Sequence, residues 1–168
     1  TFSVTEVETL VRDPYSIFAR HVLKLDALDP IAAAPTAANR GTIIHDILAR
    51  FAKAFPKTLS EHAAAELLQQ GQDAFAPLAE AFPKLYAEWW PRFQRLAAAF
   101  LDWEEGRRGE LAEILPEVSG KMPIVLPGGE TVTLRARADR IEGRRDGGFT
   151  IIDFKTGTPP TTKEVFAG

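Results

Sequence analysis

Two aspartates and one lysine near the end of the chain have a spacing that is suited to metal-ion chemistry. Asp139 precedes and Asp153 follows the turn sequence at residues 146–148, and Lys155 lies two residues beyond Asp153. In a symmetric antiparallel hairpin, residues equidistant from the turn face each other. The midpoint of the two aspartates is residue 146, so we expect them to be cross-strand neighbours, with Cβ atoms about 4.5–5.5 Å apart.

Such a pair of carboxylates indicates a shared cation. Like charges at opposite positions destabilise a sheet, and a divalent ion bound between them removes that penalty. Oxygen ligands suit Mg²⁺ or Mn²⁺. Lys155 leaves the strand on the same face as Asp153, because side chains alternate along a strand. A Lewis acid, an activated water and a nearby cation are what the hydrolysis of a phosphodiester requires.

A surface salt-bridge cluster is the alternative interpretation, and an isolated D-x-K on a strand would favour it. Three features favour the catalytic interpretation. A second acid occupies the mirror position, and Thr156-Gly157 frees the backbone directly after Lys155. In addition, Ile151, Ile152 and Phe154 predict a strand buried on both faces, where a surface cluster is not expected.

The elements that must position these residues fall into a helical part at 1–109 and a strand-rich part at 110–168. Ser3 and Glu6 have capping-box spacing, and Asp13-Pro14 is typical of a helix start. Aromatic residues recur at helical spacing after Pro83, which indicates a buried stripe more than a surface that stacks on DNA bases. The predicted helices span about 3–11, 14–23, 37–55, 60–71 and 85–105, with Pro77, Pro83 and Pro91 as breaks.

The second part predicts an antiparallel meander. Strands are expected at 111–115, 117–126, 131–141 and 149–154, with glycine-containing turns between the last three. The segment after Pro159-Pro160 is expected to begin a helix. We therefore predict one α+β domain over residues 1–168, in which the helical part packs on a small, mainly antiparallel sheet.

Composition limits the classes of protein to consider. The chain has 168 residues, a net charge of -3 and no cysteine, so disulfides and cysteine-ligated iron–sulfur clusters within it are excluded. No apolar run approaches the roughly 20 residues of a membrane span, and we expect a cytoplasmic protein. A negative net charge is unusual for a DNA-binding protein. Either the protein does not bind DNA, or part of the DNA-binding surface lies on other domains and the acidic residues hold a metal. Because the sequence starts at Thr1, we expect a fragment of a larger protein.

The motifs together resemble one known family. Residues 137–141 and 151–157 are similar to the nuclease domain shared by the RecB and AddB subunits of bacterial helicase–nucleases, a PD-(D/E)xK domain with a restriction-endonuclease-like core. The family also has a Gly-x-x-x-His pattern on an upstream helix, which here is Gly41 to His45. The opening, from Phe2 to Leu10 and from Arg12 to Tyr15, resembles AddB-type proteins most closely. The likeness spans nearly the whole chain in the same order.

The resemblance implies a role for each matching residue. His45, Asp139 and Asp153 would bind the metal, together with the backbone carbonyl of Phe154. Lys155 would be the catalytic lysine that positions or activates the water. A core or surface histidine is the alternative for His45.

Four further residues are weaker candidates. Glu117 resembles an additional acid of the family, and an ordinary edge-strand glutamate is the alternative. Arg135, Arg137 and Arg140 are candidates for contacts with DNA phosphates, and solvated strand charges are the alternative.

The resemblance also implies a function for the whole protein. We expect an Mg²⁺-dependent DNA exonuclease module, in which Mn²⁺ can substitute, within a subunit that pairs with an AddA-like helicase–nuclease. It would act at the nucleoid in double-strand break repair by homologous recombination. The alternatives are a non-catalytic module of the same fold that binds DNA or a partner, and a phage or CRISPR-associated exonuclease. The family motif continues with Gln and Tyr on a following helix, beyond Gly168. We therefore expect that the core of the fold is truncated in this chain, and that nuclease activity belongs to the full-length protein.

Overall fold

The structure is a computed structural model that describes residues 1–26, 28 and 33–157. In this part of the chain, five helices and a four-stranded mixed sheet are formed, which confirms the predicted α+β class. The expected helix after Pro160 lies outside the described residues. The helices are α1 (Val4–Arg12), α2 (Pro14–His21), α3 (Ala37–Ala54), α4 (Ala63–Ala81) and α5 (Pro83–Arg108), and the strands are β1 (Phe2–Ser3), β2 (Leu111–Val125), β3 (Thr131–Arg144) and β4 (Phe149–Ile152).

The chain divides into two compact units, each made of two stretches of sequence. The first unit contains residues 1–33 and 118–137, and the second contains residues 34–117 and 138–168. Strands β2 and β3 each contribute one part to either unit. The unit boundary therefore differs from the boundary at residue 109 between helices and strands.

In the first unit, helix α1 starts with the predicted capping box. The Ser3 hydroxyl accepts from the Glu6 backbone amide, and the Glu6 carboxylate accepts from the Ser3 amide at 2.7 Å. Glu6 also lies 2.9 Å from Nε2 of His21 on α2. The bond from the Ser3 amide, helped by His21, lowers the pKa of the Glu6 carboxyl to about 2. The capping box thus also joins α1 to α2.

In the second unit, α3, α4 and α5 form the hydrophobic core. The aromatic stripe of α5 is confirmed as part of it, since Trp89, Phe93 and Phe100 are buried. Phe93 packs against Phe75 of α4, with ring centroids 5.6 Å apart. These side chains are therefore not available for stacking on DNA bases.

The predicted span of the fourth helix was wrong, because burial of its apolar face outweighs the helix-breaking tendency of glycine and proline. Helix α4 begins after His62 and not at Ser60, and it continues past Gly71 and through Pro77 to Ala81. Helix α5 also contains a proline, Pro91, which lies within the predicted span of 85–105 and does not interrupt the helix. An interior proline costs about 3 kcal/mol of helix stability. Burial of each large apolar side chain on these helices contributes about 1.5–3 kcal/mol, which offsets that cost.

Strand β3 is the centre of the sheet. Its neighbours are β2 and β1 in the order β1-β3-β2, and β4 also pairs with it. Strand β1, which was not predicted, runs parallel to β3, with Phe2 opposite Leu134 and Ser3 opposite Arg135. Because β4 is antiparallel to β3, the sheet is mixed.

Strand β2 is continuous where two strands were predicted. It passes through Pro116, and the irregularity appears at Glu117, whose φ of 57° lies in the left-handed region. The β3–β4 turn is as predicted, and Gly147 adopts a φ of 88° there, a conformation that glycine tolerates without a steric penalty. Among the described residues, no helix combines the length and the apolar character that crossing a bilayer requires.

Candidate active site

The hairpin of β3 and β4 has the register predicted from the turn. Arg140 pairs with Ile152, and Gly143 pairs with Phe149, so paired residues are equidistant from residue 146. Asp139 and Asp153 occupy the next positions of the same register, one residue beyond the end of β4. The register that the turn sets therefore brings the two aspartates to the same end of the hairpin.

Asp139 is held by two groups that come from different elements. Its Oδ1 lies 3.2 Å from Nδ1 of His45 on α3, and its Oδ2 accepts a hydrogen bond of 2.7 Å from the backbone amide of Phe154. The Asp139 side chain is 15% exposed and that of His45 is 26% exposed. Both are largely shielded and still reachable by an ion from solvent.

Phe154 anchors the segment that carries the lysine. Its ring packs edge-on against those of His45, Phe100 and Trp103, with centroids 6.4, 5.9 and 6.2 Å away. Because neighbouring side chains in an extended segment point to opposite sides, Asp153 and Lys155 are directed away from this core. The amide bond from Phe154 to Asp139 was not predicted, although the alternation of apolar and charged residues indicates the inward side chain.

Gly41 brings helix α3 close to the end of this segment. A Cβ atom at Gly41 would lie 3.0 Å from Oγ1 of Thr156, which is tighter than ordinary van der Waals contact. One turn later, the same helix presents His45. The glycine of the Gly-x-x-x-His pattern thus allows the approach that places the histidine beside Asp139.

Asp153 and Lys155 form a second pair. The Lys155 ammonium lies 2.5 Å from Oδ2 of Asp153, and their side chains are 59% and 58% exposed. The hydrogen bond to Asp153 raises the pKa of Lys155. The expectation that this strand is buried on both faces was wrong, because Ile151 is 71% exposed. Only the opposite side, which carries Phe154, is covered, and it is covered by helices α3 and α5.

The donors at this end of the hairpin fit a divalent cation in their chemistry. Carboxylate oxygens suit Mg²⁺ and Mn²⁺, and an imidazole nitrogen suits Zn²⁺ and other transition-metal ions. In residues 1–26, 28 and 33–157, however, no group of three or more His, Cys, Asp or Glu side chains is arranged so that it could hold a metal ion. Two of the three predicted ligands, His45 and Asp139, lie together. Ligation by all three, and by the Phe154 carbonyl, stays a prediction.

The prediction that Arg140 contacts DNA was wrong. Arg140 is 1% exposed, and its guanidinium lies between the carboxylates of Glu104 and Glu142. It also lies over the ring of Trp103, 5.2 Å from the centroid. The alternation of β3 explains the difference, since Asp139 and its neighbour Arg140 point to opposite faces and Arg140 points at α5.

The remaining candidates lie on β2 and β3. Glu117 is half-buried, in the second unit, at the irregular position of β2. Arg135 and Arg137 are exposed on β3 in the first unit. Their roles stay predictions.

Two cavities in the second unit differ in their relation to these residues. A cleft of about 330 Å³ opens beside Lys155, and its walls are mostly apolar, including Ile44, Trp103 and Phe154. A larger one of about 550 Å³ is lined by Arg108, Glu113 and their neighbours and contains none of the predicted site residues. Cavity size alone does not identify the site.

Comparison with known proteins gives consistent matches over the whole chain. It is 31% identical over 167 residues to an uncharacterized protein of Rickettsia bellii, covering 99% of this chain and 20% of the relative. Uncharacterized proteins of Rickettsia conorii and Rickettsia typhi are each 30% identical, over 173 and 171 residues, covering 100% and 99% of this chain. The chain spans about a fifth of the length of these relatives. The family model described as the PD-(D/E)XK nuclease superfamily matches residues 1–168, and the chain belongs to this superfamily, whose members are typically nucleases.

Proposed function

We propose that this chain is a nuclease module that hydrolyses DNA phosphodiesters with Mg²⁺, for which Mn²⁺ can substitute. The observation that carries the proposal is the common hairpin end. There Asp139, already beside His45, shares its register position with Asp153, and Lys155 follows two residues later. Membership of the nuclease superfamily supports the same chemistry.

Each residue of the site has a separate proposed role. His45, Asp139 and Asp153 would hold the ion, and the Phe154 amide keeps the Asp139 carboxylate in one orientation. A divalent cation polarises a phosphate oxygen and lowers the pKa of water. The Lys155 ammonium faces solvent, where it can neutralise charge that develops on the phosphate.

For the whole protein we propose an AddB-type subunit that acts with an AddA-like helicase–nuclease in double-strand break repair by homologous recombination. The resemblance at both ends of the chain motivates this assignment. The length of the relatives, about five times the matched region, suits a nuclease module within a larger machine. Exonuclease action and a location at the nucleoid belong to the same proposal.

The test is a nuclease assay on the full-length protein with Asp153→Ala and Lys155→Ala. Each change should reduce Mg²⁺-dependent cleavage by about 100-fold or more, the size expected when a group that stabilises developing charge is removed. Asp73→Ala is the matched control, since Asp73 is exposed on α4 and its carboxylate accepts a hydrogen bond from the neighbouring Gln69 on the same helix. Unaltered cleavage in both site variants would contradict the assignment.

A non-catalytic DNA- or partner-binding module is the second candidate. It is favoured by one observation, namely that the described residues hold no ready group of three metal-binding side chains. Calorimetric titration of the full-length protein with Mn²⁺ separates the two candidates. Binding that is lost in Asp139→Asn supports the nuclease, whereas no binding to the unaltered protein supports the second candidate.

A further inference from the structure

We infer that a basic cleft in the first unit binds the phosphate backbone of DNA. The basic cleft has a volume of about 460 Å³ and lies where the start of α1 meets β2 and β3. The side chains that matter are three cations and three hydroxyl groups: Lys121, Arg135, Arg137, Ser3, Thr5 and Ser119. The choice of DNA as the ligand rests on the proposed function.

The charge of the basic cleft sets it apart from the rest of the chain. No acidic residue is among those that line it, although the chain as a whole carries a net charge of -3. The 550 Å³ cavity of the second unit, by contrast, combines its cations with Glu105 and Glu113. Within the first unit, the Glu6 carboxylate accepts from the Ser3 amide and lies 2.9 Å from Nε2 of His21, and it does not line the basic cleft.

The strand geometry gathers the cations on one surface. Lys121 and Ser119 are two residues apart on β2, and Arg135 and Arg137 are two residues apart on β3, so each pair shares a face of its strand. Parallel pairing of Ser3 with Arg135 adds the hydroxyl at the start of α1. Lys121 and Arg135 are both exposed, and the inference rests on these two.

The arrangement fits a polyanion. Cations and hydroxyl groups spread over four elements offer many hydrogen-bond donors. Proteins use such donors to contact successive phosphates and sugars of a nucleic acid without recognising its sequence. Such contacts release counterions, so they give affinity that depends on salt. The basic cleft would therefore position DNA, and the residues of the second unit would cleave it.

The test measures binding apart from cleavage. Full-length protein with Asp153→Ala, which keeps DNA intact, is compared with the same protein carrying Lys121→Ala and Arg135→Ala. The magnitude of the slope of log affinity against log salt concentration should fall by about 1.4 to 1.8, because each of the two lost phosphate contacts removes about 0.7 to 0.9. Arg12→Ala with Lys84→Ala is the matched control, since both residues are exposed and lie outside the basic cleft.

A cross-linking measurement covers the case in which the double variant does not fold. Ser119→Cys is treated with DNA that carries a thiol-reactive group on one phosphate, and the modified peptide is identified by mass spectrometry. The chain itself contains no cysteine, so a cross-link within residues 1–168 can only arise at the introduced thiol. Cross-linking at Ser119→Cys and none at Arg12→Cys supports the inference.

The outcomes distinguish this inference from the proposed function. A reduced slope, together with no cleavage by the protein that retains Asp153, would support the basic cleft and contradict the nuclease. Normal cleavage with an unchanged slope and no cross-link would overturn the basic cleft alone. The basic cleft would also be overturned as a DNA site if Lys121→Ala with Arg135→Ala abolished binding to phosphatidylserine vesicles and left DNA binding unchanged. The ligand would then be a membrane surface.

Discussion

Asp139 takes its orientation from two groups that reach it by different routes. The Phe154 amide lies just beyond β4, which pairs with the strand of Asp139 in the same hairpin. His45 lies on α3, which is distant in sequence. Each carboxylate oxygen has one of these partners. Fixing both oxygens limits the rotation of the side chain, which is what a preorganised metal ligand requires.

His45→Ala is the prediction at the residue scale. Loss of one nitrogen ligand should raise the Mn²⁺ concentration for half-maximal cleavage by about tenfold or more, since even groups that only orient ligands have effects of that size. His62→Ala is the control, because the His62 side chain is 81% exposed and lies beside its exposed neighbour Glu61. The measurement is the Mn²⁺ dependence of cleavage, and an unchanged dependence would show that His45 is not a ligand.

At the scale of elements, the packing of α4 on α5 depends on a glycine. A Cβ at Gly71 would lie 2.2 Å from Cε1 of Phe93, whose ring is 1% exposed and packs against Phe75 and Trp90. The ring is enclosed and cannot simply move aside. Gly71 therefore sets the closest approach of the two helices.

Two glycine-to-alanine changes should have opposite effects on the free energy of unfolding. Gly71→Ala gains about 1 kcal/mol of helix propensity but overpacks the contact with Phe93, at a cost of about 1–3 kcal/mol, so we expect net destabilisation. Gly106→Ala on α5 meets no atom within 4 Å and should stabilise by up to about 1 kcal/mol. Urea denaturation of residues 1–168 measures both, and stabilisation by Gly71→Ala would contradict this packing.

At the scale of the whole chain, buried charges connect α5 to β3 behind the candidate site. Glu104 accepts from Arg108 on its own helix and from Arg140 on β3, and Arg140 also pairs with Glu142 at 2.6 Å. Arg107 completes the set by bonding to Glu142. Glu104 and Glu142 are both fully buried, so each depends on its arginine partners.

Arg140→Ala should therefore lower the free energy of unfolding by about 3–5 kcal/mol, because two buried carboxylates would lose their shared partner. Arg95→Ala, at an exposed position of α5, should change it by no more than about 0.5 kcal/mol. Urea denaturation measures both variants. Weaker DNA binding by Arg140→Ala without loss of stability would restore the original prediction of a DNA contact.

Much of this architecture could be predicted from the sequence because its causes are local. The capping box at Ser3, the stripe of α5 and the hairpin centred on residue 146 each depend on residues that are near each other in the chain. The continuation of α4 past Gly71 and through Pro77 could not be predicted in this way, since the burial that offsets the proline is contributed by other elements.

The sequence by itself thus determined most of the helices, the β3–β4 hairpin and the shared register position of Asp139 and Asp153. Only the tertiary structure decided which side chains meet across elements. It brought His45 to Asp139, placed Thr156 against Gly41 and buried Arg140 between two glutamates. Strand alternation predicts that Asp139 and Arg140 face opposite ways, but which face receives the helix depends on how the apolar surfaces of distant segments pack together.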